Sequence, residues 1–228
     1  MNVPAQLPIF PLGNVLYPGS QMPLHIFEER YRQLMRDRLH DDPIFGVVLT
    51  ETGAEVGDEP SIHFVGTAAK LLAASELPDG RWAIVVEGTR RFRVLTSSWE
   101  RSYLIGSIEW IDDPEPLTPP PAGVEQLILA LVGYLRAVGA ELAEATTIGG
   151  IEDGLREAFS SDLDGLVYLI AAQLPLNTWH RQRILEIPSA AERARAVRSL
   201  LRQEQVILER AGATTWLTTH PTGSILPN

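Results

Sequence analysis

Between Asp112 and Pro121 the chain reads Asp-Asp-Pro-Glu-Pro-Leu-Thr-Pro-Pro-Pro, and the period of its hydrophobic residues changes across this run. Proline lacks the N–H that a sheet ladder needs and fixes φ, so the run ends any strand before it and reads as a stiff extended joint. Upstream, apolar residues fall in short strand-like pieces; downstream they recur every three or four residues. The pattern predicts an α+β chain: a small barrel or sandwich with one early helix over 1–116, a joint over 117–122, a helical bundle over 123–212 and a tail over 213–228.

Turn residues set the strand boundaries in the first part. Ile9-Phe10 and Val15-Leu16-Tyr17 are brief apolar pieces, and Pro18-Gly19 marks a turn. Met22 to Phe27 reads as a strand that Pro23 confines to an edge or a strand start. Glu28 to Leu39 then takes helical spacing, with Phe27, Tyr31, Leu34, Met35 and Leu39 on the apolar side. Ile44–Thr50 is a strand, and Glu51 to Pro60 an acidic loop. Ile62–Ala74 and Arg81–Glu87 flank Leu77-Pro78-Asp79-Gly80, a strong β-hairpin signal. Strands resume at Phe92–Leu95 and Leu104–Ile111.

In the second part Leu127, Ile128, Leu131, Leu135 and Val138 form one helical stripe, and Leu163, Leu166, Val167, Ile170 and Leu174 another. Ser161 and Asp164 have capping-box spacing. Pro175 stops that helix and Asn177 can cap the next. Ser189 with Glu192 opens a last helix whose apolar face is Ala194, Val197, Leu201 and Leu208.

Composition removes whole classes of chemistry. With 19 Lys+Arg against 29 Asp+Glu the formal net charge is −10, which disfavours nucleic acid as a partner. No run approaches the roughly 20 apolar residues that span a bilayer. Cysteine is absent, excluding disulfides, thiolate nucleophiles and cysteine-based zinc sites. The single lysine, Lys70, lies between Ala69 and Leu71, so no phosphate-cradling Gly-Lys-Ser/Thr loop exists; it reads as a strand lysine reaching solvent. The first residues carry no basic flank and are broken by Pro8 and Pro11, unlike a signal peptide, so a cytoplasmic protein is expected.

Catalytic patterns are missing too. There is no Gly-x-Ser-x-Gly string, and Pro18-Gly19-Ser20-Gln21 fits a turn. His25, His40, His63, His180 and His220 are scattered, without helical metal-site spacing. The carboxylates Glu51, Glu55, Asp58, Glu59, Asp112, Asp113 and Glu115 fall beside Pro and Gly as solvated loop charge, and Gly149-Gly150 follows no strand. No catalytic residue, metal ligand or cofactor is expected. The densest positive charge, Arg90-Arg91-Phe92-Arg93, reads either as an anion or RNA contact or as structural pairing, with Glu28, Glu29 or Glu87 meeting arginines such as Arg91. The structural reading is favoured because no wider basic stripe accompanies the cluster.

Several stretches carry a family resemblance. Leu7-Pro8-Ile9-Phe10-Pro11-Leu12-Gly13-Asn14-Val15-Leu16-Tyr17-Pro18-Gly19, running into Met22-Pro23-Leu24-His25-Ile26-Phe27-Glu28-Glu29-Arg30-Tyr31, resembles the opening of the Lon protease N-terminal, substrate-binding domain. Val65-Gly66-Thr67-Ala68, Leu77-Pro78-Asp79-Gly80-Arg81 and Val86–Val94 follow in that family's order. Ala171-Ala172-Gln173-Leu174-Pro175-Leu176 and Arg181–Glu186 resemble its helical half. The wording around Leu24–Glu28 is nearest the free-standing bacterial members that lack ATPase and peptidase domains.

The resemblance implies a pseudouridine-synthase-and-archaeosine-transglycosylase (PUA)-like β-barrel followed by a helical bundle. It also implies a non-enzymatic module that binds unfolded or hydrophobic polypeptide, with a separate protease or chaperone as a further partner, and no nucleic acid or membrane. Binding would use an apolar patch, an interdomain groove or an open barrel edge that accepts a strand. Phe10, Tyr17, Phe27 and Trp82 are the candidate peptide contacts. A small-molecule hydrolase with an unrecognised site and an RNA-binding PUA-like module are the competing readings.

Overall fold

A computed structural model describes residues 5–39, 43–51, 61–99, 101–112, 121–138 and 145–211. The expected acidic loop beyond Glu51, most of the proline joint, residues 1–4 and the C-terminal tail, with His40 and His220, lie outside the described residues. The chain is mixed α+β and divides into two units. One comprises Met1–Asp112 with Thr178–Glu186, and the other Asp113–Asn177 with Ile187–Asn228.

The first unit carries strands β1 (Ala5–Leu12), β2 (Gln21–Ile26), β3 (Ile44–Thr50), β4 (Ile62–Glu76), β5 (Trp82–Ser98) and β6 (Leu104–Trp110), with helix α1 (Glu29–Arg38) between β2 and β3. The sheet order is β2-β5-β4-β3-β1-β6, and β6 pairs with β5 as well as β1. Five strands thus close a circuit of pairings, with β2 appended to β5. The pair β1–β3 is parallel; the other pairs are antiparallel.

Side-chain alternation on β1 and β3 separates two apolar clusters. Leu7 and Ile9 join Val48, Ala68, Phe92, Val94, Leu104 and Ile108 on one side of the sheet. Phe10, Phe45 and Val47 join Leu24, Ile26, Trp82, Ile84 and Val86 on the other, where α1 lays Tyr31, Leu34 and Met35. Strands covered on both faces read as continuous hydrophobic runs, which is why β1 and β3 show little polar alternation. Phe92 needs space around its ring. A Cβ on Gly46 would meet the Phe92 and Ile9 side chains, and one on Gly66 would meet the Val47 carbonyl and Phe92.

The Leu77–Arg81 turn forms as the sequence predicts. Gly80 has φ +77°, its N–H donates to the Leu77 carbonyl at 2.8 Å, and the Leu77 N–H donates to the Arg81 carbonyl at 2.7 Å. The expected break between Glu87 and Phe92 is absent, because β5 runs unbroken for 17 residues. Register shifts within β4–β5 and β5–β6 bend it instead of interrupting it. Phe27 departs from the expected apolar side of α1, lying ahead of the helix at 66% exposure.

The second unit holds α2 (Pro121–Ala137), α3 (Ala145–Ala158), α4 (Leu163–Gln173) and α6 (Ala190–Ala211). Helix α2 begins inside the expected joint, consistent with proline at a first helical turn. Its most buried residues include Val124, Leu127, Ile128 and Val132, so the stripe is turned slightly from the expected one through Leu131 and Leu135. The capping expectation at Ser161 is corrected: Asp162 is the N-cap, accepting from the Gly165 N–H at 2.8 Å. Ser189 caps α6 as expected, its hydroxyl accepting from the Glu192 N–H at 3.2 Å.

Helix α5 (Thr178–Glu186) amends the expected continuous helical half over 123–212, because it belongs to the sheet unit. Gln182, Ile184 and Leu185 are buried there. The Gln182 amide donates to the Val65 carbonyl at 3.0 Å and to Glu186 at 2.9 Å, and Tyr17 donates to the Arg181 carbonyl at 2.9 Å. The short helix is held both by its buried Ile184 and Leu185 and by these polar contacts.

Candidate functional site

The four sequence-chosen contacts divide between core and surface. Phe10, Tyr17 and Trp82 are buried. Phe10 packs edge-on against Tyr31 at 4.4 Å and Phe45 at 6.1 Å, so its ring serves the α1–sheet core. Tyr17 gives its hydroxyl to the α5 backbone. Phe27 alone of the four stands in solvent. Sequence reasoning missed two other exposed aromatics of the sheet unit, Phe64 on β4 at 64% and Trp179 on α5 at 59%. Their signal was present but ambiguous: Phe64 sits on the alternation that elsewhere faces inward, and Trp179 opens a helix with weak amphipathicity.

Trp179 is framed by cationic and aromatic neighbours. The Arg183 guanidinium lies 5.6 Å from its ring centroid and the His180 ring stands edge-on at 5.1 Å. Leu72 and Leu95 are further exposed apolar side chains of the same unit. Each of these apolar side chains stands in solvent.

The predicted ion pairs take different partners from those expected. Glu28 pairs with Arg30 at 2.7 Å, and Glu29 with Arg32 at 2.8 Å and Arg36 at 3.1 Å, all local contacts at or within α1. Arg91 is 3% exposed and donates to the Leu185 carbonyl at 2.6 Å. This contact ties α5 to the sheet. Arg90 pairs with Asp112 and lies 5.1 Å from the Trp110 ring centroid, leaving Arg93 exposed. The cluster is therefore divided among separate contacts instead of forming one open cationic stripe.

The titratable groups that depart from ordinary behaviour sit in packing contacts. Burial raises Tyr31 to about 12. Asp37 accepts from Tyr103 at 2.7 Å, Gln33 at 2.7 Å and Arg101 at 3.1 Å. Burial opposes its ionisation, yet these hydrogen bonds together hold its carboxyl below the ordinary range. Tyr103 is raised, chiefly by burial and then by donating to Asp37. His63 lies 3.4 Å from Glu186 at the α5–sheet contact. Among the described residues no three His, Asp or Glu side chains converge as metal ligands. A cavity of about 230 Å³ in the helical unit is lined by Ala122, Gly123, Gln126, Leu127, Leu163, Ala191, Ala194, Arg195 and Arg198, a set without a carboxylate or histidine for acid–base work.

These features define an α+β domain with a closed circuit of strand pairings and an aromatic-bearing surface. Residues 6–203 match the family model described as the ATP-dependent protease La (LON) substrate-binding domain, and the chain belongs to that family. It is 29% identical over 219 residues to a Lon protease of Anaeromyxobacter dehalogenans, covering 91% of this chain and 24% of the relative. With a Lon protease of Lawsonia intracellularis the identity is 30% over 208 residues, covering 89% and 24%. The chain thus spans about a quarter of the length of these bacterial relatives.

Two solved structures are similar. A Lon N-terminal domain protein from Xanthomonas campestris has TM-score 0.58 and 25% identity, covering 84% of this chain and 95% of that one. The N-terminal domain of a Mycobacterium avium complex Lon protease has TM-score 0.63 and 16% identity, covering 89% and 98%, a likeness of fold alone. Among the described residues no helix is long and apolar enough to cross a membrane.

Proposed function

We propose that this chain is a non-enzymatic polypeptide-recognition module that takes unfolded or hydrophobic segments on the sheet unit. The observation that carries this reading is the exposure of Phe27, Phe64 and Trp179 in a chain belonging to a substrate-binding family. Isolated apolar side chains are common on surfaces, but large aromatics more than half exposed retain a strong gain on burial, up to about 3 kcal/mol each. The circuit of pairings through β1, β3, β4, β5 and β6 supports reading this unit as a PUA-like β-barrel, with α2, α3, α4 and α6 as the accompanying helical bundle. A cytoplasmic setting and cooperation with a separate protease or chaperone complete the proposal.

Light scattering from a heat-denatured client tests it. The protein should suppress aggregation, and the triple variant Phe27→Ser, Phe64→Ser, Trp179→Ser should lose most of that effect while keeping its circular-dichroism spectrum. No suppression by the unaltered protein, or undiminished suppression by the folded variant, counts against the proposal.

A further inference from the structure

Among the described residues the appended strand β2 and the far end of β4 each have β5 as their one strand neighbour, and their sequences treat these edges oppositely. Strand β4 pairs with β3 only as far as Lys70, after which Leu71 donates to the Pro43 carbonyl at 2.9 Å. From Leu72 to Glu76 its one neighbour among the described residues is β5, and all five residues are exposed.

The direction of the backbone groups follows from the turn. Leu77 donates to the Arg81 carbonyl, so residue 77 faces β5. The two-residue period of an antiparallel ladder turns Ser75 and Ala73 the same way, and leaves the N–H and C=O of Ala74 and Glu76 aimed at the open side. These two sets of groups stand about 6.8 Å apart along the strand.

On β2 the corresponding row is interrupted. Gly88 donates to the Ser20 carbonyl at 2.9 Å, so Ser20, Met22, Leu24 and Ile26 face β5 while Gln21, Pro23 and His25 face outward. Pro23 occupies the centre of that row and supplies no N–H. Placing proline there blunts an edge against pairing. The β4 segment Leu72-Ala73-Ala74-Ser75-Glu76 has no proline and one ionised side chain. Its register shift between Leu71 and Ala73 bounds the open stretch at one end and the Pro78–Gly80 turn bounds it at the other.

From this contrast we infer that the β4 edge at Ala73–Glu76 is a strand-addition site for an extended segment of another polypeptide. The inference rests on the polypeptide-binding reading above and names its backbone site. The occupant must be extended and free of proline, because it answers a row of main-chain donors and acceptors. The small side chains Ala73, Ala74 and Ser75 accommodate larger apolar groups beside them. Glu76 favours a basic residue opposite it, which in an antiparallel addition precedes the apolar residues.

The test uses the full chain and a fluorescein-labelled decapeptide, Gly-Arg-Thr-Val-Thr-Val-Thr-Val-Ser-Gly. Fluorescence anisotropy should show binding, and amide exchange at Ala74 and Glu76 should slow when the peptide is added. N-methylation of alternate valines should weaken binding about tenfold or more, because it removes the ladder donors. Ala74→Pro should do the same. Should that variant not fold, Glu76→Lys on the exposed strand decides, since it should shift preference toward the same peptide carrying Glu in place of Arg.

Equal binding of the N-methylated peptide, or no slowing at residues 74 and 76, overturns the inference. So does exchange protection at these residues without peptide that rises with protein concentration, because a second copy then holds the edge. If the decapeptide fails while a denatured client is still held, only this site falls. Loss of both removes the recognition reading itself.

Discussion

Each unit buries an arginine: one takes a carbonyl at a helix end, the other a carboxylate together with two carbonyls. In the sheet unit Arg91 of β5 donates to the carbonyl of Leu185, in the last turn of α5, where the helix dipole is negative. In the helical unit Arg193, wholly buried, donates to the carbonyls of Ile187 at 2.6 Å and Pro188 at 3.3 Å. It also forks onto both Asp164 oxygens at 2.6 Å and lies 5.4 Å from the Tyr168 ring centroid. The comparison teaches that a helix C-terminus and a carboxylate can each help to solvate a buried cation.

The largest effect should come from breaking the carboxylate-matched site. Arg193→Met leaves Asp164 without its fork and should cost about 3–5 kcal/mol, read by urea denaturation, with amide exchange accelerating in α4 and α6. Arg193→Met with Asp164→Leu should be less destabilised than the sum of the two single variants, since their shared interaction is lost only once. A double variant that equals the sum would show that the carbonyls, rather than the pair, dominate. Arg91→Met removes the hydrogen bond to the Leu185 carbonyl, worth about 1.5–3 kcal/mol, and should speed exchange most in α5. Unchanged exchange in α5 would show that this carbonyl contact does not hold the helix.

Next in size is the helix cap. Asp162→Ala should destabilise the helical unit by about 1 kcal/mol, because the Gly165 N–H loses its acceptor. The sheet unit should be unaffected by calorimetry or exchange, and a cost shared by both units would argue that they unfold together.

How far the sequence revealed these features follows from the range over which each is determined. The hairpin at Leu77–Arg81, the edge position of β2 at Pro23, α1, and the apolar faces of α4 and α6 depend on local chemistry and were readable. Helix α3 was not, because Gly149, Gly150 and Gly154 lower its intrinsic propensity and only tertiary context overrides that. The placement of α5 was hidden because its anchors, Val65, Arg91 and Tyr17, are about a hundred residues or more away in the chain. The site was legible only in part: an aromatic at a strand end gives the same signal whether it faces the core, as Phe10 does, or solvent, as Phe27 does.

The two units should also differ in how their carboxylates answer salt at low pH. Asp37 and Glu125 both ionise more readily than ordinary carboxylates. Asp37 does so because hydrogen bonds from Tyr103, Gln33 and Arg101 outweigh its burial; Glu125 does so chiefly through its hydrogen bonds to Arg156, at 2.8 and 2.9 Å. A depressed folded-state pKa adds stability above the unfolded value, near 4, and that stability is lost as pH falls through the folded value. Asp37→Asn should therefore flatten the acid limb of the sheet unit's stability by about 1 kcal/mol or less, in both low and high salt, since Tyr103 and Gln33 are neutral donors. Glu125→Gln should flatten the helical unit's limb only at low salt, because its exposed arginine partner is screened within about 10 Å at 0.1 M. Acid titrations at 20 mM and 500 mM salt, followed by unit-resolved amide exchange, check this; equal salt sensitivity of the two variants would show that Asp37 depends mainly on Arg101 rather than on its neutral donors.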